Sequence, residues 1–306
     1  MMRPEELEQI RKMPFGELMG LALNTKLVNR GQKVALCSII NAKSGRCSED
    51  CRFCVQSAHH KTASPVYPLL DRATIVAAAH EAKRIGAEHF SLVTSGRGMQ
   101  SPELERVADI VATIRREVDI KVCASLGILD IRALTILKDA GLSRYHHNLE
   151  TSQEYFARVV TTHTFAERLE TIRAAQEAGL EVCAGGIFGL GETEDDRVSM
   201  ALTLAACRVD SVPINILIPL PGTPMAHNPP LSVHEILRAI ALVRIILPAV
   251  PVRLAAGRET ALKDFVGMAF MAGADGMMIG GYLTQQGRLP AEDQQLIEEI
   301  KRLWSA

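Results

Sequence analysis

The chain has 306 residues, is 47% hydrophobic and 23% charged, and carries a formal net charge of −1. Those values fit a globular protein with one large core and give no reason to expect nucleic acid or an anionic membrane surface as a partner. The N-terminus MMRPEELEQIRKMPF lacks the apolar centre of a signal peptide, and the longest apolar stretch, AIALVRIILPAVPV, holds Arg244 and two prolines, so a cytoplasmic location and no membrane span are expected.

Residues 1–30 read as a helical segment opened by PEELEQIRK. Short β-rich runs then alternate with helical patterns over residues 31–285, and a helix over 286–306 closes the chain. The strands are expected at VALCSI (34–39), HFSLVT (89–94), IKVCASL (120–126) and RYHHNL (144–149). Four more follow at LEVCAGGI (180–187), SVPINILI (211–218), PVRLAA (251–256) and DGMMIG (275–280). Helices are expected between them at 73–85, 102–117, 130–140, 164–178, 194–206, 232–247 and 259–272, with a last one at 291–304. Eight strands alternating with helices predict an α/β fold, a single (βα)8 TIM barrel with an N-terminal helical extension, whose site lies at the C-terminal ends of the strands.

Nearly every strand carries a polar or sulfur-bearing residue among apolar neighbours: Cys37, Ser91, Cys123, Asn148, Cys183, Asn215 and Arg253. Strand side chains alternate in direction, so one such residue per strand points into the barrel. Each cysteine alone reads equally well as a buried core residue. An arginine and two asparagines need partners inside a barrel, so something polar or metallic is expected in the cavity.

The stretch CSIINAKSGRCSEDCRFC places Cys47, Cys51 and Cys54 in the pattern C-x3-C-x2-C. In a reducing compartment clustered thiols point to metal or chemistry rather than disulfides. Zinc would need a fourth ligand, for which His59 and His60 are at hand. Three thiolates on one loop fit a 4Fe–4S cluster better, with one iron left open for a substrate or cofactor and Phe53 shielding the cluster.

C-x3-C-x2-C with an aromatic before its last cysteine resembles the signature of the radical S-adenosylmethionine superfamily. The segments YHHNLETS, VVTTHTFAERLETI, EVCAGGIFGLGET, SVPINILIPLPGTP, VRLAAGRE and FMAGADGMMIGGYLT resemble the biotin synthases of that superfamily, over about residues 34–285. The resemblance implies sulfur insertion between C6 and C9 of dethiobiotin to form biotin, an electron donor of flavodoxin or ferredoxin type, and a homodimer. It implies a 4Fe–4S cluster on Cys47, Cys51 and Cys54 and S-adenosyl-L-methionine on its open iron. Phe53, Thr94, Ser95, Glu150, Arg168, Ile187 and Ile218 would contact that cofactor, Arg168 through the carboxylate and Glu150 through the ribose. Gly185, Gly186, Gly189 and Gly191 would let the chain approach closely. Asn148 and Asn215 would bind the ureido ring, His146 would line the pocket, and Thr284 and Gln285 would take the substrate carboxylate. The nearest rival with the same barrel is a hydrogenase-maturation or mutase type of enzyme acting on another small molecule.

The chain departs from the family at one point. Familiar members hold a second, auxiliary 2Fe–2S cluster on cysteines of strands two, three and five and the arginine of strand seven. Cys123, Cys183 and Arg253 match, but strand two has Ser91, and the thiol stands on strand one as Cys37. Cys37 therefore reads as a relocated ligand, or else as an inert core cysteine in a chain that lacks the second cluster. The altered set also admits a four-iron cluster with an extra sulfide to donate.

Overall fold

The computed structural model describes residues 3–283 and 287–305. Its strands are β1 (Ala35–Lys43), β2 (His89–Thr94), β3 (Lys121–Ser125), β4 (Arg144–His146), β5 (Glu181–Cys183), β6 (Gly186–Phe188), β7 (Val212–Ile216), β8 (Val252–Leu254) and β9 (Gly276–Met278). The helices are α1 (Pro4–Arg11), α2 (Phe15–Arg30), α3 (Arg72–Arg84), α4 (Glu103–Glu117), α5 (Ile131–Asp139) and α6 (Gln153–Phe156). They continue with α7 (Phe165–Glu177), α8 (Glu194–Ala206), α9 (Val233–Ile246), α10 (Arg258–Leu262), α11 (Val266–Met271) and α12 (Pro290–Ser305).

The sheet runs β5-β4-β3-β2-β1-β9-β8-β7-β6, with every strand pair parallel. Its two end strands are consecutive in the chain. The residues between and beside them close the ring: Leu149 N–H donates to Gly185 O (2.8 Å), Ala184 N–H to Ser211 O (3.0 Å) and Ile187 N–H to Glu150 O (2.8 Å). The eight expected strands are therefore present, but LEVCAGGI is broken into β5 and β6. The break follows from close packing. A Cβ on Gly185 would lie 1.9 Å from Pro213 O, and one on Gly186 would lie 2.6 Å from Glu150 O. These two glycines let neighbouring strands approach closely.

Three other expectations shift. The N-terminal segment is two helices, parted at Lys12–Pro14. The fourth strand ends at His146, so Asn148 stands just beyond it. The helix expected over 259–272 is divided by a 3₁₀ turn at Lys263–Phe265, where Lys263 has φ +48°.

Alternation along the strands sorts the core. On β2, Phe90 and Leu92 are buried beneath the helices, while His89, Ser91 and Val93 face the barrel interior. α2 packs on α9, whose whole C-terminal half is buried, so the N-terminal extension covers that flank of the barrel. Among the described residues no helix is long and apolar enough to cross a membrane.

Candidate active site

β1 leads into the cysteine loop through two left-handed residues, Gly45 (φ +78°) and Arg46 (φ +50°). The loop is folded back by its own backbone: Cys47 N–H donates to Gln56 O (3.0 Å), Ala58 N–H to Cys47 O (2.8 Å) and Cys54 N–H to Cys51 O (2.9 Å). His59 Nε2 bonds Ser48 O (2.9 Å) and His60 Nε2 bonds Cys51 O (3.0 Å). Both imidazoles thus brace the loop. Cys47, Cys51 and Cys54, with Phe53, line one cavity of about 450 Å³ at the mouth of the barrel. Burial raises the Cys51 thiol and pushes Cys54 up to about 11, and the neighbouring thiols add to both shifts. Among the described residues no three or more His, Cys, Asp or Glu side chains are gathered as a single metal ion would need. Iron–sulfur clusters are held by cysteine thiolates, and three line this end of the cavity. The donor set fits such a cluster.

Arg168 is buried, so the acidic neighbours on its helix do not make it a surface residue. The N-cap Thr164, in a capping box with Glu167, starts α7 and sets its first turn. Arg168 Nε donates to His163 Nε2 (3.1 Å) and its Nη1 to Asn148 O (2.9 Å). Glu150 Oε1 lies 3.6 Å from the same Nη1. His163 in turn bonds Glu49 through Nδ1, and Glu49 also accepts from Thr162 Oγ1 (2.8 Å). Burial opposes ionisation of Glu49, yet the bonds from Thr162 and His163 hold its carboxyl below the usual range. A chain of contacts thus runs from the cysteine loop through Glu49 and His163 to Arg168 and Glu150. Glu150 has φ +68°, a conformation costly for a residue with a Cβ and characteristic of functional sites.

The floor of the cavity is formed by Cys37, Cys123, Cys183 and Arg253. Cys123 pairs in register with Ser91 and Arg144, Cys183 with His146, and Cys37 with His89 and Met278. Arg253 is buried and its Nε has no hydrogen-bond partner among the described residues. Burial works against its charge, but Cys37, Cys183 and Cys123 beside it leave its pKa raised. Burial likewise pushes up the Cys37 thiol, against the pull of Arg253, and takes Cys123 to about 12. An orphaned guanidinium N–H facing three thiols fits an anionic iron–sulfur core.

Between mouth and floor lie the remaining expected residues. Thr94, Ser95, Ile187, Ile218, His146, Asn148 and Asn215 all line the same cavity. Ser95 Oγ donates to Gly45 O (2.7 Å), so its hydroxyl fastens the cysteine loop. Asn148 accepts from Gly185 N–H (3.1 Å) and donates to Glu150 Oε2 (3.3 Å). Asn215 accepts from Ala256 N–H (3.1 Å) and donates to Gly186 O (3.3 Å). Each amide keeps one N–H and one lone pair for a ligand. Burial lowers the pKa of His146 to about 4, so it is a neutral imidazole at neutral pH. Thr284 and Gln285 lie outside the described residues; Leu283 before them accepts from Asn41 Nδ2 (3.1 Å) at the cavity rim.

Reading the sequence missed Glu49, His163, Arg97, His89 and Arg144, all of which line the cavity. His89 and Arg144 were open to detection, since each stands two residues before an interior residue already recognised on its strand, Ser91 and His146. Glu49 and His163 are 114 residues apart and carry no local signal.

Residues 42–204 match the radical SAM superfamily, and residues 213–301 match the biotin and thiamin synthesis associated domain. The chain is 53% identical over 295 residues to a biotin synthase of Heliobacterium modesticaldum, covering 96% of this chain and 90% of that one. It is 48% identical over 275 residues to a biotin synthase of Thermotoga neapolitana, covering 90% and 98% respectively. Among solved structures, a methylornithine synthase superposes with a TM-score of 0.78 at 19% identity, over 98% of this chain and 91% of that chain. An FeFe-hydrogenase maturase from Carboxydothermus hydrogenoformans gives 0.82 at 20% identity, over 97% and 74%. Those two share the barrel, whereas the sequence likeness is to biotin synthases, and the chain belongs to the biotin synthase family of the radical SAM superfamily.

Proposed function

We propose that this chain forms biotin from dethiobiotin, inserting sulfur between C6 and C9, with the sulfur drawn from an auxiliary iron–sulfur cluster at the barrel floor. One observation carries the reading: the loop thiols Cys47, Cys51 and Cys54 and the floor set Cys37, Cys123, Cys183 and Arg253 line the two ends of one cavity. Bound at the mouth, a 4Fe–4S cluster and S-adenosyl-L-methionine would supply the one-electron chemistry that removes hydrogen from a saturated carbon. The chain's own residues orient and exclude. Arg168 takes the cofactor carboxylate, Glu150 the ribose hydroxyls, and Phe53, Thr94, Ser95, Ile187 and Ile218 enclose the rest. Asn148 and Asn215 offer a donor and an acceptor each to the ureido ring, beside His146. Thr284 and Gln285 take the substrate carboxylate. With substrate between mouth and floor, the lining residues would hold its saturated carbons close to the thiols of Cys37, Cys123 and Cys183.

Cys37 is the relocated third thiol of the floor, and Arg253 either ligates iron or donates to sulfur. The sheet pairs β1 with β9, so residues 1–306 are read as one domain. A flavodoxin or ferredoxin-type donor, a homodimer and the cytoplasm complete the reading.

The test is iron and acid-labile sulfide per chain after anaerobic reconstitution, with biotin formation, for the wild type and Cys37→Ala. About eight irons falling to about four, with loss of biotin formation, supports a four-iron floor cluster on Cys37. About six falling to about four gives a 2Fe–2S cluster on the same ligands. About four in both proteins removes the sulfur donor and with it the reading.

A further inference from the structure

His89 lines the cavity floor beside the three thiols and Arg253. It opens β2, directly opposite Cys37 in the β1–β2 register and opposite Lys121 on the other side. Its ring faces the cavity with Ser91 and Val93, on the interior side of the strand. Only 5% of it is exposed, and neither Nδ1 nor Nε2 has a hydrogen-bond partner among the described residues. A buried polar group without a partner is costly, and here both nitrogens of one ring are unpaired among the described residues. The neighbours do not relieve this. Arg144 spends Nε and Nη2 on Glu181 (2.9 and 2.5 Å), and the Cys37 thiol points to Met277 O (3.7 Å). Nothing apolar about the position demands an imidazole either, since Val or Ile fills such interior sites in a packed barrel.

What the ring offers is a nitrogen lone pair on the same cavity floor as three thiols. Three thiolates leave one iron of a four-iron cluster without a protein donor, and imidazole is a good ligand for iron. A fourth thiolate would add negative charge in a buried site; a neutral imidazole does not. We propose that His89 is the fourth protein ligand of the floor cluster, bound through a ring nitrogen to the iron that Cys37, Cys123 and Cys183 leave open. Arg253 then acts as a hydrogen-bond donor to cluster sulfur rather than as a ligand. The inference rests on the proposed auxiliary cluster and goes beyond it by naming the ligand.

The experiment is pulsed EPR on the dithionite-reduced, reconstituted protein labelled with [15N]histidine, without S-adenosyl-L-methionine, so that the mouth cluster has no nitrogen ligand. Iron is counted on the same sample. Iron above about four per chain, with a strong 15N coupling that disappears in His89→Gln, is the expected result. Iron above about four with no 15N coupling, or with coupling that persists in His89→Gln, overturns the role of His89 and leaves the auxiliary cluster standing. Iron that stops at about four removes the cluster itself and the inference with it. If His89→Gln does not keep the extra iron, His89→Gly reconstituted with [15N]imidazole decides. Return of the extra iron with 15N coupling supports ligation; return without coupling, or no return, overturns it.

Discussion

At the scale of single residues, the site depends on groups that never touch the reacting carbons. The proposed role of Arg168, pairing with the cofactor carboxylate, requires its guanidinium plane to be fixed. His163 fixes it by accepting from Nε, and Glu49 fixes His163 by bonding its other nitrogen. Glu49 also lies between Cys47 and Cys51, so the same side chain ties Arg168, through His163, to the cysteine loop. Under the proposed role of Arg168, His163 is a positioning residue. Removing one bond to a charged group costs about 1.5–3 kcal/mol. His163→Phe should raise KM for S-adenosyl-L-methionine by about tenfold or more, with a much smaller change in kcat. His163→Asn, which can both accept and donate, should recover part of the loss. Steady-state kinetics at saturating dethiobiotin would read this, and a fall in kcat at constant KM would sink the positioning role.

At the scale of elements, the closure of the barrel turns on the two residues between β5 and β6. The run LEVCAGGI has the β-branched and alternating character of one strand, and nothing local marks its break. The cause is across the sheet, where Pro213 O leaves no room for a Cβ at Gly185. Tertiary packing of this kind is invisible to a reading that sees one segment at a time. The same limit hid Glu49 and His163, whose bond joins two loops. By contrast, the interior set Cys37, Ser91, Cys123, Cys183 and Arg253 was legible, because strand alternation alone decides which side faces the cavity. Gly185 also donates to Asn148 Oδ1 (3.1 Å), so its backbone position sets that amide. Gly185→Ala must push β7 away or tilt the closing segment, at about 1–3 kcal/mol for overpacking. The expected outcome is a lower urea midpoint together with a raised KM for dethiobiotin. A variant with unchanged midpoint and unchanged KM would mean that the strands part without cost.

At the scale of the whole molecule, the chain's two ends are clamped onto the barrel through buried charge. Arg258, fully buried, donates to Asp293 Oδ2 (2.6 Å) at the start of α12. At its other end, Trp304 lies under the ammonium of Lys26 from α2, with Nζ 2.9 Å from the ring centroid. Lys26 Nζ also donates to Gly31 O (2.7 Å), and the side chain is 0% exposed. Burial pulls its pKa down to about 7, with Asp275 nearby acting in the opposite direction. The unfolded chain holds that proton up to about pH 10.4. Between those values the unfolded state binds more protons than the folded one, so stability rises with pH, by at most about 1.4 kcal/mol per unit from this group. Below about pH 7 both states are protonated, and the fold bears the full cost of a buried ammonium. Lys26→Met keeps the volume and removes the charge. Its stability relative to wild type, measured by urea unfolding, should be highest at pH 6 and should shrink steadily to pH 9. A difference that stays constant over that range would mean that the Trp304 ring and the Gly31 carbonyl hold Lys26 charged throughout. The clamp between α2 and α12 would then be a cation–π contact at every physiological pH, not a neutral amine packed against an indole.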